Sequence, residues 1–155
     1  MEVNYINPFI EASQNIIGQV AGFQVTLGKV IIKQSPYTAE NLVVLIGLTG
    51  RIRGTAVFAY RPEVACRVAS AMMGGMPVTQ LDELSKSAIS ELSNMILGHA
   101  ATIFSDRDIK IDISPPTLLV GDNLQFSNDN AKIVSIPLIF DNGDSIHLDV
   151  SFAEG

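Results

Sequence analysis

A chain of 155 residues that is 47% hydrophobic and only 17% charged carries enough apolar material for one domain with a proper core, and too little charge for a disordered segment. The net charge of −6 is uneven: residues 1–80 hold six Lys/Arg against four Asp/Glu, and residues 81–155 hold four against twelve. An acidic second half and a complete lack of tryptophan exclude phosphate-backbone grooves and base-stacking platforms, which need clustered cations and aromatic faces.

The first residues, MEVNYINPFIEAS, lack the basic start and apolar core of a leader, and no apolar run is long enough to span a bilayer; a cytoplasmic location is expected. Asn7-Pro8 reads as a cap followed by proline at the first helical position, with Phe9, Ile10, Ile16, Ile17 and Val20 carrying the helical period up to Gly22. Phe23 to Lys33 alternates as a strand broken or bulged at Gly28, and Ser35-Pro36 marks a turn. The apolar run Asn41–Thr49 and the segment Thr55–Tyr60 form a hairpin across Gly50–Gly54. Arg61-Pro62-Glu63 opens a short amphipathic helix that ends at Gly74-Gly75. It contains Cys66, the only cysteine; a lone cysteine allows neither an internal disulfide nor a zinc cluster, and its apolar setting predicts a buried, inert thiol. After the next helix come short extended pieces at Ile109–Ile113 and Thr117–Val120. A second hairpin, Ala131–Phe140 with Ser145–Phe152, follows across Asn142-Gly143. Pro137 inside that strand predicts an edge position or a bulge. The fold class is α+β: antiparallel hairpins in a mixed sheet with helices packed on it, in a single domain over residues 1–155.

The helix from Thr79 to Phe104 is the informative one. Thr79 followed by Asp82 reads as its start, and no proline interrupts the chain before Pro115. At about 100° per residue, taking Ser87 as zero, Glu91 falls near 40°, Asn94 near −20° and Gly98 near 20°. Leu81, Leu84, Ala88, Leu92, Met95, Ile96 and Ile103 occupy an adjoining sector expected to face the core. A carboxylate and a carboxamide thus sit one turn apart beside the buried face, and Gly98 leaves room for another chain to approach. The run Glu11-Ala-Ser-Gln-Asn-Ile-Ile-Gly18 aligns with Glu91-Leu-Ser-Asn-Met-Ile-Leu-Gly98, so two halves related by duplication are expected. In the first copy Gln14 takes the place of Asn94.

Ser87, Glu91 and Asn94, with Pro115-Pro116 following, resemble the signature of the CheC/CheX/FliY phosphatases of bacterial chemotaxis. The segments Ala71–Met76, Leu81–Leu84 and Asp112–Thr117 are similar to the CheX branch of that family. The resemblance covers nearly the whole chain. It implies dephosphorylation of the aspartyl-phosphate of a CheY-type response regulator by a homodimer with one motif per chain, Gln14 putting a first-half site in doubt.

The chemistry suits those residue types. An acyl phosphate is already activated, and its loose transition state asks mainly for an in-line water held in position. A carboxamide accepts from that water through its oxygen and donates to a phosphoryl oxygen through its NH2, the role expected of Asn94. Glu91, on a solvated stripe, is better placed to pair with a lysine of the regulator than to act as a base. Ser87 is expected to cap or to contact the partner at the edge. Magnesium would come with the phosphorylated partner, the chain having no metal cluster of its own in sequence.

Two further readings compete. One is a module of the same fold that binds a regulator or flagellar-switch component without catalysis. The other is a small-molecule hydrolase built on His99 and an aspartate, which lacks any Gly-x-Ser-x-Gly or metal spacing. His99 is expected in the core, His147 at a surface or dimer contact, and Asp141, Asp144 and Asp149 at a solvated hairpin tip. Met72–Met76 is expected to be a helix end with packing.

Overall fold

The computed structural model describes residues 5–34, 37–39, 41–122, 124–126 and 132–154. Along them run α1 (Asn7–Ala21), β1 (Val25–Leu27), β2 (Ile31–Gln34), β3 (Tyr37–Ala39), β4 (Leu42–Gly50), β5 (Ile52–Tyr60) and α2 (Pro62–Met72). Then follow α3 (Glu83–Asp106), β6 (Ile111–Ile113), β7 (Thr117–Val120), β8 (Leu124–Phe126), β9 (Lys132–Phe140) and β10 (Ser145–Glu154). The α+β class is as expected. The Ser35-Pro36 turn and Ala131 lie outside the described residues.

Helix ends obey local rules. Pro8 stands in the first turn of α1, although Ile6 rather than Asn7 is the cap residue, and Gly22 closes the helix at φ 73°. Gly50 turns β4 into β5 at φ 102°, and a Cβ there would sit 2.7 Å from the Lys110 carbonyl oxygen; only glycine satisfies both constraints.

The large sheet has the order β1-β9-β10-β5-β4-β6, with β2 also on β9 and β7 also on β4. The expected mixed sheet is corrected: every described pairing is antiparallel. The reason is the duplication. Hairpins β4–β5 and β9–β10 meet at the central pair β5–β10, where Val150 faces Ala56. Each half then lends its short strands to the other: β1 and β2 pair with β9, and β6 and β7 pair with β4. Two-fold-related hairpins joined antiparallel continue the alternation across the sheet.

Pro137 lies in an interior strand, opposite a bulge. Leu27 faces Leu138 and Ile31 faces Ser135, so Gly28, Lys29 and Val30 oppose only Pro137 and Ile136. The Gly28 N–H donates to the Pro137 carbonyl at 2.9 Å, and a Cβ on Gly28 would lie 2.7 Å from Ile139 Cδ1.

The three helices pack on one face of the sheet. Phe9 and Ile17 of α1, Val64 and Val68 of α2, and Ile89, Leu92, Ile96 and Phe104 of α3 meet Val44, Phe58, Ile136 and Leu148 from the strands. On the opposite face Val43, Val57 and Ala59 are buried with Leu124 of β8 beside them. No helix of the described residues is long and apolar enough to cross a membrane.

Candidate functional site

The helix carrying the proposed motif starts later than the sequence indicates. Thr79 is exposed and outside α3. The cap is Asp82, whose carboxylate accepts the Ser85 N–H at 2.8 Å while the Ser85 hydroxyl accepts the Asp82 N–H at 2.8 Å. This reciprocal box satisfies two otherwise free donors. The Ser85 N–H first, and then the Ser85 hydroxyl, hold the Asp82 carboxyl below the ordinary aspartate range. A lowered folded-state pKa contributes stability above the unfolded value and loses it as the pH falls through the folded one. Asp82→Asn keeps a capping side chain without the charge. Its Tm deficit against the unmodified chain should therefore be present at neutral pH and shrink as the pH drops through the low carboxylate range. A deficit independent of pH would rule out the charge as its source.

The buried face of α3 is Ser85, Ile89, Leu92, Ser93, Ile96, Leu97, Ala100 and Phe104. On the same wheel these residues span about 140–280°, so the Ser87–Gly98 row lies on the far side of the helix rather than beside its core face. Leu84, expected in the core, is 58% exposed; Leu81, Ala88, Met95 and Ile103 are only partly buried at the margin. The error has a physical cause. α3 is flanked by α1 and α2 as well as the sheet, so it is apolar around most of its girth and its period is blurred.

Ser87 and Glu91 are exposed, and Asn94, one turn on from Glu91, is half-buried. A Cβ added at Gly98 would meet nothing within 4 Å. Beneath this row the Ser93 hydroxyl, fully buried, donates to the Ile89 carbonyl at 3.0 Å and lies 3.1 Å from the hydroxyl of Tyr60, also fully buried. Burial pushes the Tyr60 phenol well up, the Ser93 bond acting the other way. This contact joins residues far apart in the chain and was not legible in sequence; its only trace was a serine in both repeats.

The two helices match position by position. Phe9, Ala12, Ser13, Ile16 and Ile17 are buried as are Ile89, Leu92, Ser93, Ile96 and Leu97, and Glu11 is exposed as is Glu91. The Ser13 hydroxyl donates to the Phe9 carbonyl at 2.7 Å, as Ser93 does to Ile89. The first-half polar pair is otherwise engaged: Glu11 is 4.0 Å from Arg107, and the Gln14 amide donates to the Val25 carbonyl at 3.3 Å.

Several isolated expectations change. His99 is half-buried rather than in the core. His147 is an interior-sheet residue, paired with Pro137 and Ala59 on either side, its Nε2 3.3 Å from the Ser145 hydroxyl. Asp149 is not at a solvated tip; it is 2% exposed with Lys33 Nζ at 3.5 Å. Asp144 accepts from Arg67 at 3.1 Å, and that guanidinium also lies 4.7 Å above the Phe23 ring. Cys66 is buried, and burial first, then the charges of Asp82 and Glu63, raise its pKa. Met72 and Met73 pack on the core while Met76 is exposed, as expected of a helix end. Among the described residues no three of His, Cys, Asp and Glu converge as a metal site.

Comparison with known proteins places the chain among relatives. The family model described as "Chemotaxis phosphatase CheX" matches residues 42–138. The chain is 36% identical over 152 residues to the CheY-P phosphatase CheX of Thermotoga maritima, covering 97% of each. Among solved structures, a CheC-like superfamily protein from Shewanella superposes with a TM-score of 0.86 at 23% identity, covering 99% of both chains. The CheX–CheY–BeF3–Mg2+ complex from Borrelia burgdorferi gives 0.82 at 24% identity, covering 99% of this chain and 100% of that one. With a family model spanning more than half of its residues and a relative matched along almost its full length, the chain belongs to the chemotaxis phosphatase CheX family.

Proposed function

We propose that this chain dephosphorylates the aspartyl-phosphate of a CheY-type response regulator, using the open row of α3. The observation that carries the reading is the Glu91–Asn94 pair, one turn apart on the helix face turned away from the core, in a member of a phosphatase family. Asn94 holds the attacking water in line, accepting from it and donating to a phosphoryl oxygen. Glu91 docks a cation of the regulator's site, Ser87 touches the partner at the rim, and Gly98 lets the partner's backbone come close. Magnesium arrives with the phosphorylated regulator, as the composition of the Borrelia complex supports. The chain acts in the cytoplasm as a single domain and as a homodimer. Support for self-association comes from exposed apolar residues on the outer strands, Ile31 (43%) and Ile32 (65%) of β2 and Val120 (53%) of β7.

The deciding experiment follows loss of phosphate from phosphorylated receiver domains with and without the protein. Acceleration supports the reading; tight binding without acceleration would make the chain a docking module. Glu91→Gln should raise the regulator concentration for half-maximal rate by about tenfold, the cost of stranding a partner charge at an interface. Gln14→Ala should leave the rate unchanged, because that amide is already committed to the Val25 carbonyl.

A further inference from the structure

We infer that Tyr60 and Ser93 form a positioning device that sets where Asn94 presents its amide, an inference resting on the phosphatase reading above. Ser93 immediately precedes Asn94 and is fully buried on the core face of α3, and Tyr60 ends the strand β5 at full burial. The Ser93 hydroxyl reaches both the Ile89 carbonyl at 3.0 Å and the Tyr60 hydroxyl at 3.1 Å, and either hydroxyl can donate across the second contact. The result is a chain of buried polar contacts from the sheet through Tyr60 and Ser93 into the helix backbone. Apolar ridges tolerate sliding and rotation of a helix by fractions of an ångström; a hydrogen bond between two buried hydroxyls does not, since breaking it strands a buried donor.

The duplication supplies an internal control. Ser13 occupies the equivalent buried place in α1 and bonds back to Phe9 at 2.7 Å, but among the described residues no hydroxyl of the sheet reaches it. The half that keeps the glutamate–asparagine pair is the half whose serine is anchored. A helix needed only for packing gains little from such an anchor, whereas a helix that must place a water gains the geometry on which its rate depends.

Tyr60→Phe removes the hydroxyl and keeps the ring. It should lower kcat toward a phosphorylated receiver by about tenfold, since sub-ångström misplacement of a positioning group is felt at that scale, with KM unchanged. Ser93→Ala should lower kcat equally. Ser93→Ala also leaves the buried Tyr60 hydroxyl without its partner, so the double variant Tyr60→Phe/Ser93→Ala should recover Tm relative to Ser93→Ala without recovering kcat. Ser13→Ala should leave kcat at the unmodified value. An undiminished kcat in Tyr60→Phe, or an equal loss in Ser13→Ala, overturns the inference. Backbone amide exchange separates it from the phosphatase reading. If the unmodified protein accelerates no dephosphorylation, that reading fails alone. Tyr60→Phe must still speed exchange over residues 91–97 more than at the ends of α3, and a uniform change would overturn the anchor.

Discussion

Replacing Asn94 by alanine should reduce the acceleration of phosphoryl-regulator decay by about 10²-fold or more, the scale associated with losing a group that orients a reactant in line. The fold should not suffer. Asn94 is half-buried on the open side of α3, and alanine is the better helix former by roughly 0.5 kcal/mol. Affinity for a regulator loaded with beryllofluoride should be retained, because the proposed docking contacts are those of Glu91 and the rim. The measurement is a rate at saturating regulator for both proteins, beside their melting curves. Undiminished catalysis in Asn94→Ala would remove the amide from the mechanism. Asn94→Gln makes the sharper comparison. It keeps the same donor and acceptor but extends them by one methylene, moving the amide by about 1.5 Å, and should lose most of the rate. In the first repeat the longer amide, that of the exposed Gln14, donates to the Val25 carbonyl.

The parts of this molecule that were readable in sequence are those decided within a few residues. Gly22 ends α1, Gly74 and Gly75 follow α2 with φ of 71° and 90°, and Gly143 turns the last hairpin at φ 93°; each is a backbone state that the neighbouring pattern demands. The spacing of Glu91 and Asn94 is equally local. What could not be read depends on distant partners. Nothing in β1 or β2 says that they pair with β9 of the other half, because that exchange follows from how two copies meet and not from any alternation. The same holds for Asp149, whose neighbours along the chain make a solvated tip plausible until Lys33 is brought across from β2. The face of α3 was misjudged for a related reason: Met95 and Ala88 are apolar because α1 and α2 flank the helix, which widens the apolar arc and shifts its apparent centre. Glu91 and Asn94 share a face all the same, since residues three and four apart do so wherever the core lies.

Truncating Phe104 to alanine should produce the opposite signature to the loss of the Tyr60 hydroxyl. Phe104 is fully buried and meets the Phe9 ring edge-to-face at 5.4 Å, tying the C-terminal part of α3 to α1, the matching helix of the first half. Removing a ring from such a site costs about 3–5 kcal/mol, a large part of the roughly 5–15 kcal/mol that holds a domain together. Tm should fall by roughly 10 °C. Phe9→Ala should do nearly the same, and the double variant should lose less than the two single losses together, because both remove one shared contact. Activity per folded molecule, measured well below the lowered Tm, should stay close to that of the unmodified chain. The polar pair lies more than two turns from Phe104 and keeps its own link to the sheet through Ser93 and Tyr60. Two substitutions under one helix would then separate two physical tasks. Apolar packing between the repeats would decide whether the fold exists, and one buried hydrogen bond would decide where the proposed working face stands. A Phe104→Ala protein that is folded yet slow would mean instead that packing alone sets the position of the motif.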